Sequence, residues 1–359
     1  MKVSRKYRSR CLAFCLVLTF GAVLFSPPDA RSTGHASEET EAGALSGDDT
    51  VLLGGMPVGI YMETDGVMVL DTEEIRCADG KEYEPTAGLV QAGDYITAVG
   101  HREISGKTDL LERVRDIRDS DVVLTVRRDG SSRDVTVRPV EDESGQYRLG
   151  IWVRDNVQGL GTVTFLTKES RFGALGHGIH DIDTSGLMSI DSGRVYRTSI
   201  RDITKGTSGS PGTMEGIIVY NRYNVLGTID TNTEAGIYGT IERIDELFTE
   251  QIPVETASKD EITEGPAKIR CYIDGRTEEY DIRVTEIDTD AAEINKGLVI
   301  EITDDELLEK TGGIIQGMSG SPILQDGKLI GAVTHVFVQD STKGYGIFIE
   351  NMLKYAESS

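Results

Sequence analysis

Basic residues are scarce in this chain outside its first 30 positions. Of 37 basic and 60 acidic residues, five and one lie in positions 1–30, which leaves residues 31–359 with a net charge of −27. Binding to a polyanion requires basic stripes, so this balance argues against nucleic acid as a partner. It also argues against adhesion to an anionic membrane surface. A cationic peptide substrate is allowed, although acidic surfaces commonly serve only solubility.

Cysteine is equally scarce, and the chain contains four: Cys11, Cys15, Cys77 and Cys271. No pair among them has the spacing of a metal site, and no metal is predicted. A Cys77–Cys271 disulfide is one interpretation. Two free buried thiols are favoured, because these residues are far apart and belong to different predicted domains.

Proline is rare beside glycine, with 9 prolines against 41 glycines. So many glycines indicate many tight turns, which suit short strands better than long helices. A chain of 359 residues also exceeds one ordinary domain. The sequence therefore predicts a mainly β protein of two folded domains.

The N-terminus is typical of an export signal. Five basic residues precede an apolar run at 11–25, and small or turn-forming residues follow it. The run is short for a bilayer span of about 20 residues, so a cleaved signal and a retained membrane anchor both stay open for residues 1–30. Either way, the rest of the chain is expected outside the cytoplasm. The acidic, polar segment 31–50 is predicted to be a linker.

A peptide-binding module is predicted at 51–145. The segment 87–100, AGLVQAGDYITAVG, joins a Gly-Asp turn to a strand over Tyr95–Val99. Residues 105–121 have apolar side chains at helical spacing, with Thr108 or Asp109 as cap. A hairpin follows around Asp129-Gly130.

This order of elements resembles a PDZ domain. In PDZ domains a peptide adds as a strand beside a groove, and a glycine-rich loop binds its terminal carboxylate. On this resemblance, Gly54 and Gly55 of the segment LLGGMPVGI are the expected carboxylate-binding loop. The alternative is that the two glycines only make a bulge.

Residues 146–359 read as short strands separated by glycine turns, which predicts barrels or a sandwich. Near the end, GGIIQGMSGSPILQDGKLIGAVTHV (312–336) resembles the nucleophile region of chymotrypsin-like peptidases. Glycines at 317 and 320 let the backbone turn sharply around Ser319. The N–H groups of Gly317 and Ser319 are then predicted to stabilise a tetrahedral oxyanion. This chemistry needs no cofactor.

The nucleophile requires a base, and His177 is the best placed of the five histidines. In a double barrel the base comes from the first barrel and the serine from the second, which suits their separation. His180 is its nearest rival, and His335 either lines the specificity pocket or packs. For the orienting acid, spacing alone leaves Asp304 in competition with a helix N-cap role, and Asp181 and Asp183 are alternatives.

A second Gly-x-Ser-Gly-x-Pro turn lies at 205–213, KGTSGSPGT, centred on Ser208. It follows His177 by too few residues to complete one barrel and build most of a second. Ser208 is therefore predicted to form a tight turn near the cleft and not to be the nucleophile.

Apart from the linker, the chain resembles the sporulation protein IVB peptidase family. The match is carried by GALGHGI (173–179), EITDDELLEKTGGIIQGMSGSPI (301–323) and THVFVQDSTKGYGIFIE (334–350). The resemblance implies an N-terminal membrane segment, a PDZ domain and a chymotrypsin-like double β-barrel at 146–359. It also implies a catalytic triad of His177, Asp304 and Ser319.

The same resemblance implies a signalling role between the two membranes around the forespore. Such peptidases cleave themselves and a membrane-bound regulator of an intramembrane metalloprotease, which releases processing of a sigma-factor precursor. The alternative is a non-catalytic PDZ scaffold that binds peptides. A housekeeping periplasmic protease is disfavoured, because its PDZ domains usually follow the peptidase.

Overall fold

The computed structural model describes residues 50–118 and 120–358. The predicted signal or anchor segment and nearly all of the linker, with Cys11, Cys15 and His35, lie outside these residues. None of the helices in the described ranges has the length and apolar character that a bilayer crossing requires.

The described residues form 24 strands and four α-helices. The strands are β1 (Thr50–Leu53), β2 (Pro57–Thr72), β3 (Ile75–Arg76), β4 (Glu82–Tyr83), β5 (Tyr95–Val99), β6 (Arg102–Glu103), β7 (Val122–Arg128), β8 (Ser131–Val137), β9 (Val140–Glu141), β10 (Tyr147–Arg148), β11 (Ile151–Leu166), β12 (Arg171–Ala174), β13 (Ile190–Tyr196), β14 (Thr198–Thr204), β15 (Thr213–Ile218), β16 (Val225–Thr233), β17 (Gly236–Ile241), β18 (Pro253–Glu255), β19 (Gly265–Ile273), β20 (Arg276–Ile287), β21 (Leu298–Ile302), β22 (Pro322–Gln325), β23 (Lys328–Val336) and β24 (Lys343–Phe348). The helices are α1 (Lys107–Ile117), α2 (Ile244–Leu247), α3 (Asp305–Thr311) and α4 (Ile349–Ser358), with 3₁₀ turns at Lys259–Glu261 and Ile294–Lys296.

Most of the long strands form two six-stranded antiparallel barrels. In the first, the pairings run β2–β11–β12–β17–β16–β13 and return to β2. The second closes in the order β19–β20–β21–β24–β23–β22. Inward-facing aliphatic side chains alternate along the strands, and they fill a separate core in each barrel. The predicted mainly β, chymotrypsin-like double barrel is therefore confirmed.

A PDZ-like unit is inserted within the first barrel. The second part of β2 pairs with β5, which continues through β7 to β8, and α1 packs on this sheet. The predicted helix and the predicted strand over Tyr95–Val99 are both present. The Asp129-Gly130 hairpin is present as well, because both residues adopt the positive φ that a tight two-residue turn requires.

The insertion differs from the predicted boundary between 51–145 and 146–359. Residues 59–63 of β2 pair with both β11 and β13, so this stretch belongs to the first barrel. The first part of β11, in contrast, pairs with the PDZ-like end of β2. Two long strands thus pass through both units, and the PDZ-like unit occupies roughly the residues between Asp65 and Asp155.

The two cysteines within the described residues, Cys77 and Cys271, are free and buried. This agrees with the favoured interpretation of two separate thiols. Burial raises the pKa of Cys271 far above its ordinary value, so this thiol stays protonated in the core of the second barrel.

Candidate active site

The turn around Ser319 depends on two glycines. Gly317 has φ +104° and Gly320 has φ +92°, values that other residues rarely adopt. A Cβ atom at Gly317 would lie 2.8 Å from Cβ of Met214, and one at Gly320 would overlap the backbone of Thr162. Only glycine therefore fits at either position, and the chain reverses sharply on both sides of the nucleophile.

The predicted oxyanion donors are Gly317 and Ser319. Neither N–H group has a hydrogen-bond acceptor among the described residues, whereas the neighbouring amides of Met318 and Gly320 donate to the carbonyls of Ile315 and Val333. Two unpaired donors close to a nucleophilic hydroxyl are what stabilisation of an oxyanion requires.

Two threonines of β11 hold this turn, and sequence reasoning did not identify them. The Thr162 hydroxyl donates to the Gly317 carbonyl at 2.7 Å, and its N–H donates to the Ser319 carbonyl at 3.1 Å. The Thr164 hydroxyl donates to the Gly320 carbonyl at 2.8 Å. The only sequence signal is two threonines in the otherwise apolar stretch GLGTVTFL (159–166), because hydroxyls that become buried require partners.

His177 follows β12 directly, after Leu175 and Gly176 in left-handed conformations. Its Nδ1 lies 2.9 Å from the Gly178 carbonyl. A carbonyl can only accept, so Nδ1 carries the proton and Nε2 keeps the lone pair that a base needs. The side chain is half-buried, yet surrounding atoms desolvate the ring. This desolvation lowers the pKa of His177, and the neighbouring His180 lowers it further.

His335 lies against His177, with 4.7 Å between the ring centroids. Desolvation, with smaller effects of His177 and Lys296, lowers the pKa of His335 to about 3, so its ring is neutral near pH 7. Its Nδ1 is buried without a partner in the described structure. Of the two predicted roles, lining the specificity pocket and packing, the structure shows packing against the His177 ring.

Ser319 and the two imidazoles lie close together where the barrels meet. The Ser319 hydroxyl donates to the Thr334 carbonyl at 2.9 Å, one residue before His335. No hydrogen bond to His177 is formed in the described part of the chain. A rotation of the serine side chain is therefore needed before His177 can accept its proton.

Asp304 does not reach the histidines in this structure. Its carboxylate caps α3 by accepting from Leu307 N at 3.0 Å, and it accepts from Asp281 N at 3.2 Å. The predicted contact with the imidazole is therefore corrected: Asp304 is the N-cap, and the Gly178 carbonyl orients His177.

The competing acids are also engaged elsewhere. Asp181 is buried in an ion pair with Arg154, and Asp183 lies 3.1 Å from the same guanidinium. His180 is paired with Glu234 at 3.3 Å.

The two glycines assigned to a PDZ loop lie instead between the barrels. The N–H groups of Gly54 and Gly55 donate to Thr164 and Val163, and the Gly54 carbonyl accepts from Arg270 Nε at 3.1 Å. Neither N–H is available to a peptide carboxylate. The role predicted from the resemblance is corrected, because these residues connect β1 to β2 in the peptidase fold.

Ser208 lies at the tip of an exposed turn. Its hydroxyl donates to the Gln339 carbonyl at 3.0 Å, and Thr207 and Ser210 exchange two backbone hydrogen bonds. This placement agrees with the tight turn expected from its position in the sequence.

A family model described as SpoIVB peptidase S55 matches residues 145–353. No curated protein matches the sequence. Similar solved structures include the PDZ domain of an SdrC-like protein from Listeria monocytogenes, which is 19% identical over 25% of this chain and 87% of that one, with a TM-score of 0.21.

The active form of the Rv3671c protease from M. tuberculosis is 13% identical over 56% of this chain and 74% of that one, with a TM-score of 0.29. The HtrA-type protease AlgW with decapeptide is 11% identical over 85% of this chain and 64% of that one, also with a TM-score of 0.29. These scores are low, so the fold assignment rests on the strand pairings above. The family match covers more than half of the chain, which belongs to the SpoIVB peptidase S55 family and is a serine peptidase.

Proposed function

We propose that this peptidase is exported and acts as a sporulation signalling protease. It would cleave itself and a membrane-bound regulator of an intramembrane metalloprotease, and so trigger processing of a sigma-factor precursor. The family match supports this role. The basic and apolar segment at 1–25 supports export, with a cleaved signal or a membrane anchor at the N-terminus.

The observation that carries the catalytic assignment is the Ser319 hydroxyl beside two unpaired N–H groups, those of Gly317 and of Ser319 itself, with His177 nearby. In the proposed mechanism, Nε2 of His177 accepts the proton of the Ser319 hydroxyl as the oxygen attacks the scissile carbonyl. The N–H groups of Gly317 and Ser319 bind the resulting oxyanion. His177 then gives the proton to the leaving amine.

The Gly178 carbonyl supplies the orientation that a carboxylate gives in other triads. It fixes the Nδ1–H tautomer but carries no full charge, so it stabilises an imidazolium less than an aspartate would. Together with the Ser319–Thr334 hydrogen bond, this describes a peptidase at rest. Such a resting state suits an enzyme whose cleavage must be timed.

Peptide binding by the PDZ-like unit is proposed at β11 and α1. The first part of β11 pairs with β2 alone, and α1 packs against it. Ile151 and Val153 of β11 are half-buried, while Leu111 of α1 is 60% exposed. An extended peptide can add to such a strand edge and cover apolar side chains beside it.

Catalysis is tested by following self-cleavage of the full-length chain on a gel. Wild type is compared with Ser319→Ala, His177→Ala and Ser208→Ala, and a fluorophosphonate probe reports on the nucleophile. We expect only the Ser319 and His177 variants to stay uncut and unlabelled. Equal processing of all four chains would overturn the catalytic assignment and favour the peptide-binding scaffold.

The sporulation role has its own test. The Ser319→Ala allele replaces the chromosomal gene, and processing of the sigma-factor precursor is followed by immunoblot during sporulation. Precursor that accumulates unprocessed supports the signalling role. Normal processing would exclude that role while leaving the peptidase activity established.

A further inference from the structure

The hairpin of β14 and β15 belongs to neither barrel sheet. Among the described strands its two strands pair with each other, and Thr213 adds an isolated bridge to Gln316; residues 205–212 connect the two strands. This connection contains the second Gly-x-Ser-Gly-x-Pro turn, for which the catalytic mechanism has no use. The hairpin nevertheless leaves the first barrel and reaches the nucleophile turn of the second.

Both polar backbone groups of Gln316 are bonded to this hairpin. Gln316 N donates to the Gly212 carbonyl at 2.8 Å, and Met214 N donates to the Gln316 carbonyl at 2.8 Å. The Met214 side chain is 4% exposed and lies in the core of the second barrel. The hairpin is therefore both hydrogen-bonded and packed beside the residue that precedes Gly317.

These bonds fix the direction of one oxyanion donor. The Gln316 carbonyl and the Gly317 N–H belong to the same planar peptide unit, in which a trans bond points them in opposite directions. With the carbonyl held by Met214, the Gly317 N–H must point away from the hairpin. If this peptide unit flipped, the N–H would turn toward the hairpin and the oxyanion would lose one donor.

The connecting loop is itself anchored on both sides of the nucleophile. Gly206 N donates to the Thr311 carbonyl at 2.8 Å, and Gly209 N donates to the Val338 carbonyl at 2.9 Å. The Ser208 hydroxyl adds its bond to Gln339. Space is tight at Gly212, where a Cβ atom would lie 2.5 Å from Gly206 N and 2.7 Å from Ile315 Cγ2.

We infer that the loop at 205–212 is a positioning element, which orients the Gly317 N–H of the oxyanion hole through Gly212 and Met214. The inference rests on the proposed peptidase mechanism. It gives the second glycine-serine turn a purpose: the short residues let the loop fold back on itself and dock beside the nucleophile.

The decisive variant is Gly212→Ala in the full-length chain. Its added methyl group would clash with Gly206 and Ile315 and so displace the Gly212 carbonyl from Gln316 N. The matched control is Ile217→Thr, an exposed position on the same hairpin. Each chain is measured for its self-cleavage rate and its thermal unfolding midpoint. Two ligands are also titrated: a peptide boronate matching the mapped cleavage site, and the same peptide as an amide.

We expect Gly212→Ala to slow self-cleavage by about 100-fold to 1,000-fold, the range for loss of one oxyanion donor. Boronate binding should weaken in parallel, while binding of the amide stays unchanged, because only the tetrahedral adduct uses the hole. Ile217→Thr should match wild type. Ser208→Ala, which removes one anchoring bond, should give a smaller effect in the same direction.

Two outcomes separate the possible failures. A folded Gly212→Ala chain with wild-type cleavage and boronate affinity overturns this inference alone, whereas a wild-type chain unreactive toward the fluorophosphonate overturns the peptidase mechanism as well. If Gly212→Ala does not fold, hydrogen exchange of the wild-type amides decides. Slow exchange at Met214 and Gln316 supports the docked loop, and exchange as fast as exposed amides in an active enzyme overturns it.

Discussion

Thr162 offers the sharpest test of how the nucleophile turn is held. The substitution Thr162→Val keeps the shape of a side chain that is 2% exposed but removes the hydroxyl that donates to the Gly317 carbonyl. The backbone bond from Thr162 N to Ser319 O is retained. The variant therefore removes a single hydrogen bond and makes no cavity.

The expected loss of activity follows from the Gly317 carbonyl, which is left without its hydrogen-bond donor. A buried carbonyl without its donor costs about 1–3 kcal/mol. The Gly317–Met318 peptide unit can relieve this cost by rotating, which would displace the backbone of the next residue, Ser319, whose N–H is the second oxyanion donor. We expect kcat to fall by about tenfold to 100-fold, because a displaced donor costs less than the roughly 100-fold to 1,000-fold of a donor that is removed. KM should change little, since the ground-state substrate does not use the hole.

The assay is hydrolysis of a peptide that matches the mapped cleavage site, with unfolding by urea measured in parallel. Thr162→Ser keeps the hydroxyl and should restore most of kcat. Thr164→Val is the matched comparison, because it removes a similar bond to Gly320, whose N–H is not an oxyanion donor. It should lose comparable stability but less activity. If both valine variants lose activity in proportion to stability, or Thr162→Val is fully active, this account of Thr162 is wrong.

Three further predictions concern the acid, the pH response and the insertion. Asp304→Ala should cost about 1 kcal/mol of unfolding free energy by urea titration, the typical value of an N-cap, whereas Asp304→Asn should keep the cap and activity within about threefold. A folded but inactive Asp304→Asn chain would show that the charge itself is required. The folded pKa of His335 is about 3 against an ordinary 6.5, so between these values the unfolded chain binds a proton at His335 that the folded chain does not. The unfolding free energy should therefore lose nothing from His335 above pH 6.5 and fall by about 1.4 kcal/mol per pH unit between pH 6.5 and about 3. His335→Asn should remove that part of the slope in urea titrations between pH 6 and 4. Replacing residues 64–155 with Asn-Gly should leave a folded barrel by circular dichroism, because Glu63 and Asn156 are paired directly opposite each other. A chain that cannot fold would show that the barrel needs the insertion.

Features encoded within a few neighbouring residues were predicted well from the sequence. Helical spacing gave α1, the Asp-Gly pair gave the β7–β8 hairpin, and glycines around Ser319 gave the nucleophile turn. In each case the signal and the structure it specifies lie in the same short segment, because turn geometry and helical periodicity are local properties.

Features that depend on distant partners were not predicted. The insertion rests on β2 pairing with β11, across about 90 residues, and an alternating strand pattern does not name its partner. Gly54 and Gly55 were misassigned for the same reason, since their acceptors lie on β11. Asp304 shows a different limit: one aspartate position satisfies the motif of a triad and the motif of a helix cap. Only the location of the imidazole separates the two roles.

The course of β11 explains why peptide binding and catalysis are joined in this fold. Near its start, the Asp155 carboxylate accepts from Lys107 N at 2.8 Å and so caps α1. Arg154 is paired with Asp181 in the loop after His177, and Thr162 farther along holds Gly317. The helix of the PDZ-like unit, the loop after His177 and the nucleophile turn therefore all contact one strand, so a displacement of β11 at the PDZ-like unit has a direct structural route to Ser319.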